Sequence, residues 1–470
     1  MDNFLTAFND ILAICNDFLY SKFLIIILIA AGLYFTIRSG FVQIRMLPEA
    51  CKVVTEKSHT KGGMSSFQAL MIATASRVGT GNIAGVSTAI VLGGPGALLW
   101  MWLMCIIGGA SAFVESTLAQ VYKEKDGAIF RGGPAYYIQK ALGQRWLGII
   151  FAILLILTFA FGFNGLQAFN ISSSFEYYVP DFSNTYVPAA IGIVLAVSSG
   201  FLFFGGAHKI SIISSVLVPI MAIIYIFIGI VIFIVNIDAL PSALAVVFEE
   251  AFDFSKIFGG FAGSCMVLGI KRGLFSNEAG MGSAPNAAAS ADVSHPAKQG
   301  LVQVLSVFID TLLICSTTAF IVLLTDQYEV GGDLNGIPLV QQSVYTVFGE
   351  TGIHLVTVGI CLFAFTSLIG NYFYAEANIK FISENRIFML IFRILAILMV
   401  FAGAQADLSL AWNLADVIMG GMATVNIISI VLLGGIAMKV LKDYQHQKSK
   451  GLNPTFHAEK LGIKNTDCWK

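Results

Sequence analysis

The chain has 470 residues, of which 57% are hydrophobic and 12% charged, with a formal net charge of −1 and a mean hydropathy of +0.80. Such values describe a polytopic membrane protein. A near-neutral balance with no basic stripe excludes nucleic acid as a partner.

The N-terminus, MDNFLTAFND, is acidic and has no basic region before its first apolar run, so it does not read as a cleaved secretory signal. A bilayer core needs about 20 apolar residues per spanning helix. Runs of that length recur from Lys22 almost to Leu441 and predict eleven spans. In order these are Lys22 to Ile37, Ser66 to Leu92, Gly96 to Val121, Leu147 to Asn170, Val187 to Phe204, Ile210 to Val235, Ile257 to Ala288, Leu301 to Thr325, Leu355 to Ile382, Phe388 to Ala404 and Ala415 to Leu441. The stretch from Ala404 to Gly420, with Asp407, Trp412 and Asp416, reads as either a loop or a short re-entrant helix.

Lys and Arg concentrate in cytoplasmic loops. Arg38, Arg45, Lys52, Lys57 and Lys61 follow the first span; Lys123, Lys125, Arg131, Lys140 and Arg145 follow the third; Lys439, Lys442, Lys448 and Lys450 follow the eleventh. Ile171 to Tyr186 and Asp326 to Thr351 contain acids but no Lys or Arg. This asymmetry predicts an outside N-terminus and a cytoplasmic C-terminus. Residues 441–470 are expected to be a solvated cytoplasmic tail, with anionic lipid as the alternative contact.

Seven scattered cysteines without a CxxC pair read as small buried hydrophobes, and six dispersed histidines form no HExxH. No nucleophile with its base is visible, so an enzyme is not expected.

Two spans are interrupted. The second carries RVGTGNIAG, Arg77 to Gly85, and the seventh carries GIKRGLFSNEAGMGSAPN, Gly269 to Asn286. Glycine in a membrane helix is often a close-packing site, and GTGNIAG superficially resembles a dinucleotide fingerprint, but its spacing is GxGxxxG and no strand precedes it. Breaks at corresponding places in two five-span halves point instead to an inverted-repeat transporter with its site near the midplane. Unwound backbone is tolerated in a membrane only where its N–H and C=O groups meet a cavity, protein groups or a ligand. An amino acid zwitterion and Na⁺ meet them well, the carboxylate at half-helix N–H groups and the cations at freed carbonyls.

GGPGALLWMW (Gly93 to Trp102), FVESTLAQVYK (Phe113 to Lys123), FRGGPAYYIQ (Phe130 to Gln139) and RGLFSNEAGMGSAPNAA (Arg272 to Ala288) resemble signatures of the alanine or glycine:cation symporter family. VGTGN, Val78 to Asn82, is similar to the VGLGN of the leucine-transporter fold. The resemblance covers about Gly32 to Val440. It implies an all-α, leucine-transporter-like 5+5 inverted repeat with one extra N-terminal helix. Residues 1–64 would hold that helix and a linker, 65–440 the core with repeats of about 65–236 and 257–440, and 441–470 the tail.

By the same resemblance, Na⁺ would be held by the carbonyls of Ala75, Val78 and Phe363 and the hydroxyls of Thr366 and Ser367. The substrate carboxylate would meet Thr80, Gly81 and Asn82, and its ammonium the freed carbonyls near Gly269 and Ile270. Gln167 and Asn170, three residues apart on one helix face, would close the cavity. Many family members carry Trp where this chain has Asn371, and an amide beside Gln167 and Asn170 would open the pocket to glutamine or serine besides alanine and glycine. The intramembrane charges Arg77, Glu115, Lys271, Arg272, Glu278, Asp310 and Glu376 are costly unless paired, and most read as structural or gating ion pairs. Glu278, with Ser276 and Asn277, stands beside the second break as a cap or ion partner. The expected function is uptake of a small neutral amino acid coupled to Na⁺ by alternating access, with no cofactor other than the co-transported ion. A proton-coupled carrier and a channel are the alternatives.

Overall fold

The computed structural model describes residues 2–58, 60, 62–127, 129–253, 264–406 and 408–469. Lys61, Asp407, the Lys22 side chain and the expected start of the seventh span at Ile257 lie outside the described residues.

The described chain is helical apart from one antiparallel hairpin, Glu124–Asp126 with Ile129–Arg131. Among the described residues seven helices are long and apolar enough to cross a bilayer, and Leu24–Arg38, Thr80–Gly93 and Val187–Phe203 are shorter apolar helices. The polytopic helical architecture is as expected, while length and composition alone do not confirm the number eleven. Helices in lipid gain little from apolar burial and associate by close backbone approach. Gly403 accordingly meets Gly165, and Gly269 abuts Ala97 and Trp100, with no room for a Cβ at either.

The second span is broken where its sequence said it would be. A capping box starts Ser66–Arg77: the Ser65 hydroxyl accepts the Gln68 N–H, and the Gln68 side chain accepts that of Ser65. The helix ends at Val78 (ψ 81°), Gly79 is extended, Thr80–Asn82 form one 3₁₀ turn, and Ala84–Gly93 resumes. In the seventh span, Cys265–Asn277 ends at Glu278, which is left-handed with φ 54°. Gly280 and Gly282, both at φ 84°, carry the chain to Pro285–Ser290. Only glycine adopts such angles without a steric cost.

Three features depart from the expectation. A helix already runs over Asp2–Phe18, ahead of the first span. Asp10 and Asp17 interrupt its hydropathy, but Leu12 and Asn16, one turn apart, are buried, and Asn16 Nδ2 donates to Asn413 Oδ1 at 3.3 Å. Next, among the described residues the stretch expected as a loop or re-entrant helix belongs to one helix of 42 residues, Leu408–Ser449, with Asp416 fully buried in its third turn. Finally, the C-terminal tail is docked rather than solvated. Phe456 and Trp469 are buried with ring centroids 5.3 Å apart, and the Trp469 indole donates to the Gln120 carbonyl at 2.8 Å. Two ion pairs also tie it down, Lys140 with Asp467 and Lys448 with Glu49, both at 2.7 Å. High charge density concealed two aromatic anchors. Cys15 and Cys51 are also exposed rather than buried.

Candidate functional site

The first interruption is read by a face of amides. The Thr80 N–H and hydroxyl both donate to Gln167 Oε1, at 3.1 and 2.9 Å, and Asn170 Nδ2 donates to Thr80 Oγ1 at 2.9 Å. Gln167 and Asn170 stand on Asn164–Ser173, which continues the helix Arg145–Ile156 through a π-helical stretch, Leu157–Phe163. Such wide turns are frequent at functional sites. Gly81 closes against the Phe275 ring, which would collide with any Cβ there.

The expected sodium ligands also converge. The Ser367 hydroxyl donates to the carbonyls of Ala75 and Phe363, at 2.9 and 3.0 Å, and that of Thr366 to Phe363 at 2.9 Å. Val78 lies at the same helix end. The result is a buried group of neutral oxygens, a donor set suited to a small monovalent cation, whereas Ca²⁺ usually draws carboxylates. Gly79 separates this group from the amide face: a Cβ there would collide with Ser367 Oγ and stand 2.9 Å from Gln167 Nε2.

Other expected residues fall elsewhere. Asn82 turns toward the second half: its Oδ1 accepts the Gly79 N–H, and its Nδ2 donates to Asp310 Oδ1 at 2.6 Å and Ser276 Oγ at 3.0 Å. Ser276 in turn donates to Asp310 Oδ2 at 2.5 Å, so one buried carboxylate touches both broken helices. Gly269 and Ile270 lie inside the regular helix Cys265–Asn277, where their carbonyls belong to the helical ladder and are not freed. The break comes later, at Glu278, because the left-handed glycines are there. Asn371 is engaged by Ser76 Oγ, which donates at 2.7 Å, and by Asn164 Oδ1, which accepts at 3.0 Å, instead of by Gln167 and Asn170. Asn164 was legible in its spacing, since 164, 167 and 170 share one face.

The intramembrane charges are met in two ways. Lys271 and Arg272 share Asp416, at 2.7 and 3.3 Å, Arg272 also covering the Trp412 ring at 3.9 Å, and Glu376 pairs with Lys380 at 3.3 Å. The others are not ion pairs among the described residues. Arg77 donates to Gln303 Oε1; Glu278 accepts from Ser76 and Ser283; Glu115 accepts backbone N–H groups; Asn277 Nδ2 donates to Thr311. Arg77 nonetheless lies close enough to act electrostatically on Glu115, Glu278 and Asp310, whose direct hydrogen-bond partners are neutral groups.

A vestibule of about 460 Å³ opens on the face away from the basic loops and reaches Ala84, Asn170 and Trp412. On the basic face the docked tail packs on the loops, with Lys123 Nζ 3.9 Å from the Phe130 ring centroid and 4.8 Å from that of Trp469.

A model of the sodium:alanine symporter family matches residues 5–458. The amino-acid carrier protein AlsT of Bacillus subtilis (strain 168) is 48% identical over 466 residues, which cover 98% of each chain. The probable sodium/glutamine symporter GlnT of the same strain is 45% identical, over 98% of this chain and 96% of the relative. Among solved structures, MhsT in complex with L-phenylalanine superposes with a TM-score of 0.59 at 14% identity, covering 81% of this chain and 98% of that one. That likeness carries the fold.

Proposed function

Because the chain belongs to the sodium:alanine symporter family, a family of membrane transporters, we propose that it takes up a small neutral amino acid with Na⁺ by alternating access. Alanine, glycine, serine and glutamine are the candidates. The observation that carries the reading is the placement of Gly79 between the oxygens around Ser367 and the amide of Gln167. An ion at the first and a substrate at the second would bias the same stretch of unwound backbone. Binding of each would then tighten the other, typically by about 1 to 3 kcal/mol.

In this reading Ala75, Val78, Phe363, Thr366 and Ser367 hold the ion. Thr80, Gly81, Gln167 and Asn170 receive the amino acid, and Asn82 ties the first interruption to the second. Residues 65–236 and 257–440 act as the two repeats. The vestibule faces outward, with the docked tail in the cytoplasm.

Uptake into proteoliposomes tests the proposal. An inward Na⁺ gradient should drive concentration of labelled alanine or glutamine, and choline in place of Na⁺ should abolish it. Undiminished uptake driven by a proton gradient alone would replace Na⁺ coupling with proton coupling. Conductance without concentration would indicate a channel.

A further inference from the structure

The stretch from Glu278 to Ala284 leaves backbone donors outside any helix, and a side chain from another helix meets two of them. Glu115, on Ala97–Val121, accepts the Gly280 N–H with Oε1 at 3.2 Å and the Gly282 N–H with Oε2 at 3.0 Å. Its Oε2 also accepts Asn426 Nδ2 at 2.7 Å, from the last helix. Asn426 Nδ2 donates as well to the Gly280 carbonyl at 2.8 Å, and its Oδ1 accepts the Tyr137 hydroxyl. Glu115 and Asn426 are both fully buried.

The two glycines give this contact its form. Both are left-handed, and each directs its N–H to a different oxygen of one carboxylate. An amide has only one acceptor oxygen, so in this arrangement the second N–H would face its NH₂ group. The turn held in this way also sets Ser276 and Glu278, which reach Asn82 and Ser76 of the first broken helix. The shape of one interruption is thereby passed to the other.

We infer that Glu115 is a positioning residue for transport: its carboxylate holds the second interruption in the shape in which the two broken helices meet. The inference rests on the reading that these interruptions carry the transport site.

The test uses the full-length carrier with Glu115→Gln. Two quantities are read: deuterium exchange of the peptide spanning 278–284, and KM and turnover per folded carrier. Glu115→Gln should speed exchange in that peptide about tenfold and lower turnover about tenfold, as one hydrogen bond is lost and an N–H donor is left facing an amide NH₂. Tyr137→Phe, which loosens Asn426 without touching the carboxylate, is the milder variant and should raise exchange in the same peptide by a smaller factor. Unchanged exchange and turnover in Glu115→Gln would overturn the inference. So would a fall in the amount of folded carrier with turnover and KM intact, the mark of a purely structural role. Were the unaltered protein to show no coupled uptake, the functional reading would fail, while faster exchange would still report the clamp.

Discussion

Ser367 Oγ donates to the carbonyl oxygen of Ala75 at 2.9 Å, joining the end of the first broken helix to a helix 292 residues further on. Two hydroxyls and two carbonyls crowd this spot. The double variant Thr366→Ala, Ser367→Ala should therefore raise the Na⁺ concentration for half-maximal uptake. At about 1 kcal/mol per hydroxyl the rise is roughly thirtyfold. Unchanged Na⁺ dependence would place the ion elsewhere.

Asn371 yields an expectation opposite to the one its sequence context suggests. Because its amide is spent on Ser76 and Asn164, Asn371→Ala leaves Asn164 Oδ1 without its donor, at a cost of about 1 to 3 kcal/mol. Uptake of alanine, glycine and glutamine should fall by a common factor in competition assays. A loss confined to glutamine would mean that substrate reaches the amide.

Asp416 is the single carboxylate within 4.0 Å of both Lys271 and Arg272 among the described residues. Asp416→Asn strands two buried cations, and breaking a buried pair from one side costs about 3 to 5 kcal/mol. The thermal unfolding midpoint in detergent should drop sharply. Adding Lys271→Gln should recover part of the drop, since one stranded charge is removed. No recovery would assign the loss to packing around Trp412.

Acid should loosen the tail. Burial pushes the His295 imidazole below its ordinary value and outweighs the Asp443 carboxylate 3.2 Å away; Lys298 acts in the same direction as burial. Geometry agrees with a neutral ring: Nδ1 accepts the Ala297 N–H and so caps Pro296–Phe308, while the ring packs on Tyr444 and Phe456. A released imidazole binds its proton first, near pH 6.5. The contribution of docking is then full above that pH, declines as the pH falls, and levels off below the lowered folded value. Protease cleavage within residues 450–469 should be slow at pH 8 and faster at pH 5. His295→Asn, which keeps an N-cap without the titration, should flatten the difference; an undiminished difference would point to another group.

Orientation can be read by labelling intact cells with an impermeant thiol reagent. Tyr186 is 92% exposed on the vestibule side. In a background lacking the exposed Cys15 and Cys51, Tyr186→Cys should be labelled, whereas Lys57→Cys and Lys448→Cys should not. The reverse pattern would turn the carrier over.

The membrane class, the apolar helices and both interruptions were legible in the sequence because each depends on neighbours along the chain. Hydropathy sums over one helix, and a glycine that must be left-handed marks its own position. The oxygens around Ser367 could be expected only through resemblance to a family, since nothing local connects positions 75 and 367. The partners of the buried charges were out of reach for the same reason. Arg272 finds Asp416 across 144 residues, and Glu115 finds Asn426 across 311. The tail misled for a related cause: its lysines announce solvent, but whether Phe456 and Trp469 are covered depends on the loops that fold beneath them. A charge or an aromatic ring states its cost in the sequence. Which group meets that cost is decided by the helices that tertiary packing brings within about 3 Å of one another, the range over which a hydrogen bond acts.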